Sequence, residues 1–315
     1  MNDLVLGIDL GGTKSAASLL TITGEILERE AGLTPAQGSP AVIVPFLGDL
    51  ALRVLARAPR DRAVIGVGIS AGAPADGRRG VVFSAPNLPG WGETGFPLAQ
   101  SLTQYLGITL PIALENDADA TALAEHRFGA GKGVSNLAFL TVGTGIGAGL
   151  IVDGALLRGA IGAGGEVGHI PVEPEGRLCA CGLRGCLEAY SSGPSLVRVA
   201  LERGFTGEGT AIAVIAAARS GDPAALSAVK TAGTMLGRGI ASLVMLLNPE
   251  MVVLGTLAVH AGDLLLPEIE REVAARTWQR LRQNLQIVPA ALGDRAQDMA
   301  ALCAFLTRYP TAAAE

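Results

Sequence analysis

Apolar positions near the start of the chain come in short runs cut by glycine. LVLGID is the first, Gly11-Gly12-Thr13 interrupts it, KSAASLLTIT resumes, and GEILEREAGLT follows after Thr23-Gly24. Runs of this length with glycine punctuation predict three strands, the first two joined by a tight turn with Asp9 at its entrance. SPAVIVPFLGDLALRVLARA changes to helical spacing, with Ser39 placed to cap the start and Pro40 suited to the first turn. AVIGVGISAGAP reads as a strand and loop. FSAPNLPGW, residues 83 to 91, reads as a rigid loop, because its prolines exclude a central strand. PLAQSLTQYLG predicts a helix, and PIALENDADATALAEHRFG a strand that passes through Glu115-Asn116-Asp117 into a helix.

The same order then returns. NLAFLTVGTGIGAGLIVDG, residues 136 to 154, is an apolar strand, a glycine turn, a second apolar strand and a polar turn at Asp153-Gly154. Such an echo predicts two related α/β halves, each offering one glycine hairpin to a cleft between them. Helical spacing follows in SLVRVALERG, TAIAVIAAARSGD and PAALSAVKTAGTMLGRGIASLVMLLN, where Gly233, Gly237 and Gly239 would admit a close neighbour. EMVVLGT is a buried strand ending in Gly255-Thr256. LLLPEIEREVAARTWQRL and DRAQDMAALCAFLTRY are helices on either side of the strand LQIVPAAL. No low-complexity linker divides the chain. Topology puts the boundary near residue 118, giving domains 1–118 and 119–315, with the last helix, about 295–309, crossing back to the first.

Composition narrows the partners. Aromatic residues make up 4%, so Ala, Val, Leu and Gly must build most of the core, and 315 residues suffice for two domains. A net charge of -5 offers no basic surface to a nucleic-acid backbone. No apolar run reaches the ~20 residues that span a bilayer. MNDLVLGIDLGG lacks the sections of a signal peptide, so a cytoplasmic protein without membrane or nucleic-acid partners is expected. Cys303 falls in an apolar helical pattern and reads as a buried, inert thiol.

Chemistry concentrates in four places. GGEVGHIPVEPEGRLCACGLRGCLE, from Gly164 to Glu188, holds His169, Cys179, Cys181 and Cys186, a donor set that closes a tetrahedral zinc shell. Disulfides are the alternative, but cysteines one residue apart pair poorly and a reducing compartment opposes them. Metal binding there would also fix Glu166 and Glu188, because binding energy at such a site is folding energy. The two glycine turns are the second and third places: Gly11, Gly12, Thr13 and Lys14 in one, and Thr144 and Gly145 at the tip of the other, could cradle phosphate oxygens on backbone N–H groups. A plain hairpin would explain each turn alone. The dinucleotide fingerprint does not fit Gly143–Gly149, which leads into a strand, and Gly131-Lys132 lacks the remainder of a Walker loop. The fourth place is the strand-to-helix junction at Glu115, Asp117 and Asp119. A helix dipole accounts for Asp119, whereas Asp117, with Asn116 beside it, stands where open α/β sheets bind ligands. Asn87 and Trp91 in the proline loop are further candidates for holding a polar ligand, with turn and rim roles as the alternative.

DLGGTK, PNLPGW, END, VGTGIGAG, GGEVGH and CACGLRGCLE, in that order across nearly the whole chain, resemble the ROK family of sugar kinases and repressors. The resemblance implies an actin-like, hexokinase-like architecture of two RNase-H-like domains, with sugar and nucleotide in the cleft between them. It implies Asp117 as catalytic base, and Asn87, Asn116, Asp117, Glu166, His169 and Glu188 as sugar ligands. Asp9, Gly11, Gly12, Thr13 and Lys14, with Gly143, Thr144, Gly145 and Gly147, become the nucleotide-phosphate loops, and Gly255 part of the adenosine stretch. His169 is then both zinc ligand and neighbour of the sugar.

The implied reaction is transfer from ATP with Mg²⁺ to the 6-hydroxyl of an aldohexose, glucose foremost, with mannose, fructose, N-acetylmannosamine and N-acetylglucosamine as alternatives and polyphosphate as an alternative donor. A sugar-responsive repressor would carry a helix-turn-helix ahead of DLGGTK, and only eight residues precede Asp9. A catalytically silent sensor is opposed by the intact Asp117 and both loops. A homodimer or homotetramer is the common assembly of such proteins. Two departures stand out: the family commonly has Asn where Asp119 stands, and a second glycine where Thr256 follows Gly255. The first is expected to raise the base's pKa by like-charge repulsion, and the second bears on the nucleotide.

Overall fold

Glycine-punctuated apolar runs become the strands of two five-stranded sheets. In the computed structural model, residues 3–36, 38–85, 88, 90–92 and 94–310 are described. The chain divides into two units: Met1–Gly129 with Arg158–Gly164 and Leu292–Glu315, and Ala130–Leu157 with Gly165–Ala291.

The first unit contains β1 (Leu4–Leu10), β2 (Lys14–Thr21), β3 (Ile26–Leu33), α1 (Pro40–Leu55), β4 (Val64–Ala71), β5 (Ala75–Asp76), β6 (Val81–Val82), α2 (Leu98–Leu106), β7 (Ile112–Asn116) and α3 (Asp117–Phe128). Its sheet has the order β3-β2-β1-β4-β7. The first three strands are an antiparallel meander, and β4 and β7 run parallel to β1. Strands β1 and β4 are buried on both faces, and so their sequences read as apolar runs rather than alternating ones.

The second unit contains β8 (Leu137–Val142), β9 (Ile146–Val152), β10 (Ala155–Leu156), α4 (Glu188–Ser191), α5 (Gly193–Glu202), α6 (Ala211–Arg219), α7 (Pro223–Leu247), β11 (Met251–Thr256), α8 (Leu257–His260), α9 (Gly262–Arg276), α10 (Gln279–Arg282) and β12 (Gln286–Pro289). Its sheet order, β10-β9-β8-β11-β12, repeats the first unit's pattern, including the antiparallel start and the two parallel strands. The repeat seen in the sequence is therefore a repeat of topology. Gly237 of α7 lets α9 approach closely: a Cβ there would stand 2.9 Å from the Ile269 carbonyl oxygen.

The last helix, α11 (Ala296–Arg308), belongs to the first unit and packs on β1, β4 and α3. Gly68 makes the approach possible, because a Cβ there would stand 1.9 Å from the Ala301 carbonyl oxygen. Asp298 anchors the helix; its carboxylate accepts Arg29 Nε–H at 3.0 and 3.1 Å and the Ser18 hydroxyl. The division after Gly129 differs from the boundary expected near residue 118. Helix α3 packs against α11 and stays whole within the first unit. A second difference lies at Thr277, which adopts φ -121°, ψ 153° and ends α9, so the helix read through Trp278 is two helices. Among the described residues, no single helix is long and apolar enough to cross a membrane.

Candidate functional site

In the first unit, register brings distant residues into one row. Asp9 on β1 lies beside Ser70 on β4, which lies beside Glu115 on β7; one step further stand Leu10, Ala71 and Asn116. The next step, beyond the carboxyl ends of these parallel strands, is Gly11, Gly72 and Asp117. A Cβ on Gly72 would stand 3.5 Å from Asp117 Oδ2, so the missing side chain leaves room before that carboxylate. Asp117 is half-buried, and burial raises its pKa above the usual carboxylate range. Asp9 is buried at 5% exposure, and Oδ2 has no hydrogen-bond partner among the described residues. Burial first, and then the neighbouring Asp117 charge, push Asp9 up to about 7, against a hydrogen bond from Ser70 that lowers it. The carboxylate that faces Asp117 is thus Asp9. Asp119, expected to exert like-charge repulsion, is buried within α3 and is not among the causes of the Asp117 shift.

The other acidic and polar candidates at this edge have structural partners. Glu115 is buried and paired with Arg158, whose Nε lies 3.0 Å from its carboxylate. Asn116 caps α3: its carbonyl oxygen accepts Ala118 N–H at 2.9 Å, and its amide donates to the Ala73 carbonyl at 3.1 Å. Asn116 also hydrogen-bonds the Asp117 carboxylate, which lowers the Asp117 pKa against the larger effect of burial. Trp91, read as a possible rim or ligand residue, is 2% exposed, donates its indole N–H to the Gly38 carbonyl and meets Phe96 edge-on. Its large apolar surface put it in the core. Asn87 lies outside the described residues. The first glycine turn keeps Gly12, Thr13 and Lys14 exposed at its tip. Thr34, which no motif singled out, steadies the turn by donating its hydroxyl to the Gly11 carbonyl at 2.7 Å.

In the second unit, β8 and β9 meet at the turn Gly143-Thr144-Gly145, closed by a 2.9 Å bond from Gly143 N–H to the Gly145 carbonyl. Gly147 lies inside β9, paired with Thr141, and not in the turn. A cavity of ≈ 810 Å³ opens beside the turn, lined by Val142, Gly143, Pro194, Val197, Ile212 and Thr256 among others. Gly255 is buried on β11, where a Cβ would stand 2.7 Å from the Phe139 ring; the residue that reaches the cavity is Thr256.

The cysteine segment folds onto β9 in the same unit. Gly168 allows this, since a Cβ there would lie 2.1 Å from the Ile146 carbonyl oxygen. His169, Cys179, Cys181 and Cys186 bring one ligand atom each to within 4.8 Å of one another. Cys181 and Cys186 sulfurs stand 3.7 Å apart, a non-bonded distance, and all four cysteines are free thiols. Burial and the adjacent thiols push Cys186 up to about 12 and burial raises Cys179, whereas a backbone hydrogen bond from Leu183 lowers Cys181; a bound cation would favour the thiolate at all three. This donor set fits zinc. His169 Nδ1 lies 3.8 Å from Cys179 Sγ, and its Nε2 faces Glu166, 4.0 Å away. Glu188 joins cluster and turn: Oε1 is 3.8 Å from Cys179 Sγ, and Oε2 accepts the Ile146 N–H at 2.8 Å.

Comparison with known proteins agrees with these features. The chain is 34% identical over 313 residues to a glucokinase of Streptomyces coelicolor, covering 93% of this chain and 94% of that one. Among solved structures, a ROK hexokinase from Thermus thermophilus superposes with a TM-score of 0.82 at 36% identity, over 98% of this chain and 99% of the other. A ROK family glucokinase from Streptomyces griseus, solved in complex with glucose and AMPPNP, superposes with a TM-score of 0.80 at 34% identity, over 97% and 99% of the two chains. Both structures have the actin-like, hexokinase-like fold. Residues 5–307 match the ROK family profile, and with the duplicated sheet, the paired glycine turns and the Cys/His cluster this chain is a member of the ROK family.

Proposed function

We propose that this protein is a glucokinase: it transfers the γ-phosphoryl group of ATP to the 6-hydroxyl of glucose. The observation that carries the reading is Asp117, a carboxylate beyond the end of β7 whose pKa burial raises, with Gly72 leaving space before it. The glucokinase relatives supply the substrate class.

A sugar hydroxyl is a weak nucleophile at neutral pH. As its oxygen bonds to phosphorus and the bond to the ADP oxygen breaks, the hydroxyl proton passes to Asp117. A raised pKa suits the task, because an acceptor closer to the working pH holds the proton more firmly. Asn116 keeps Asp117 oriented through the helix cap. Glu166, His169 and Glu188 are proposed as further ligands of the sugar hydroxyls, together with Asn87. Their selectivity would come from polar groups left unpaired by the wrong sugar, a penalty that reaches ~10⁴-fold.

The cavity beside Gly143–Gly145 is proposed for the nucleoside, with the two glycine turns for its phosphates. Mg²⁺ entering with the triphosphate would neutralise its charge, and the unpartnered Asp9 Oδ2 is the group in this chain suited to it. Zinc held by His169, Cys179, Cys181 and Cys186 would be structural, ordering the segment that carries Glu166 and Glu188. A homodimer or homotetramer is the proposed assembly, to be read by light scattering.

The test is a panel of glucose, mannose, fructose, N-acetylmannosamine and N-acetylglucosamine with ATP and Mg²⁺, followed by ADP release. Glucose is expected to give the highest kcat/KM. No ADP release above background with any of these sugars would overturn the reading.

A further inference from the structure

Thr256 closes β11 with φ 52° and ψ -119°, a backbone conformation that side chains with a Cβ rarely adopt. Asp153, Glu175 and Asn248 also have positive φ among the described residues, but Thr256 alone of these is β-branched, which makes it the most strained. Such strain persists where the surroundings hold it and clusters at functional sites. Here the side chain supplies the hold. Its Oγ1 accepts the Val142 N–H at 2.8 Å and lies 3.1 Å from Thr141 Oγ1. Val142 is its parallel partner across the sheet and the last residue of β8 before the glycine turn. The same oxygen lies 4.0 Å from where a Cβ on Gly143 would stand, and Thr256 is an exposed part of the cavity wall.

We propose that Thr256 is a donor-positioning residue: its hydroxyl fixes the last peptide of β8, at the entrance to the second glycine turn, and so sets where that turn meets the phosphate chain of a nucleotide in the cavity. The inference rests on the proposed use of that cavity for the nucleotide. A glycine would take this backbone conformation without strain but would leave Val142 untethered. A valine would keep the shape and the strain without the acceptor. A serine would keep the acceptor.

The experiment titrates AMPPNP with Mg²⁺, and separately glucose, into wild type, Thr256→Ser, Thr256→Val and Thr256→Gly by calorimetry, and records melting temperatures. One lost hydrogen bond is expected to weaken AMPPNP binding by about fivefold, ~1 kcal/mol as RT ln 5, in the valine and glycine variants. Serine should stay within about twofold, glucose affinity should not move, and the glycine variant should melt no lower than wild type. A tether serving stability alone would lower the glycine variant's melting temperature and leave nucleotide affinity unchanged. That pattern, or equal weakening toward glucose and AMPPNP, overturns the proposal. A wild-type chain that binds no nucleotide overturns the proposed use of the cavity as well, and the wild-type titration distinguishes that failure.

Discussion

Asp9 should make the ligand-free protein lose stability as the pH rises, the reverse of what an ion-paired carboxylate does. Its pKa of about 7 in the folded chain, set first by burial and then by Asp117, stands above the ordinary 3.8 it regains on unfolding. Between those values the folded chain keeps a proton that the unfolded chain has released. The free energy of unfolding therefore falls by ~1.4 kcal/mol per pH unit across that window. The cost is absent below pH ~3.8, complete above pH ~7, and totals ~4 kcal/mol. Asn at this position has nearly the same shape and no charge to desolvate. The stability advantage of Asp9→Asn over wild type should thus grow by ~3 kcal/mol from pH 5 to pH 8, since about two units of the window lie in that interval. Urea denaturation of both proteins at the two pH values, without nucleotide or divalent cation, measures it directly. The stabilised variant should lose most of its kinase activity, because the oxygen that costs stability is the one proposed to face Mg²⁺. A stability difference that stays constant within ~0.5 kcal/mol across this range would refute the reasoning.

Two further substitutions probe other parts of the structure. Cys186→Ser should abolish stoichiometric zinc, read by elemental analysis of the purified protein, and should lower stability by ~3 kcal/mol or more, because the metal's binding energy is part of folding. Gly68→Ala should destabilise the first unit by ~3 kcal/mol or more, since the added methyl group would lie 1.9 Å from the Ala301 carbonyl oxygen and push α11 off the sheet. Urea denaturation followed by far-UV circular dichroism checks it.

What could be read from the sequence was what neighbouring residues decide. The two glycine turns, the strand-to-helix step at Asn116-Asp117 and the spacing of Cys179, Cys181 and Cys186 are local, and their chemistry is carried by residue type. What could not be read depends on register between strands far apart in the chain. Asp9, Ser70 and Asp117 meet only because β1, β4 and β7 pair in one alignment, and nothing in IGVGISAG marks its serine as a partner of Asp9. Glu115 resembled Asp117 as a candidate until Arg158, from a separate stretch of the first unit, claimed it. Trp91 sat among motif residues, yet its size sent it to the core. The division after Gly129, rather than near residue 118, has a related origin: the contacts of α3 with α11 join residues far apart in the sequence.

The central claim, that Asp117 accepts the proton of the sugar hydroxyl, is tested most directly by Asp117→Asn. Asn preserves the shape of the helix start and removes the proton acceptor. Glucose binding by calorimetry should stay within about tenfold of wild type, while ADP release should fall by about 10³-fold or more, the scale of a lost general base. Turnover within tenfold of wild type in that variant would contradict the assignment.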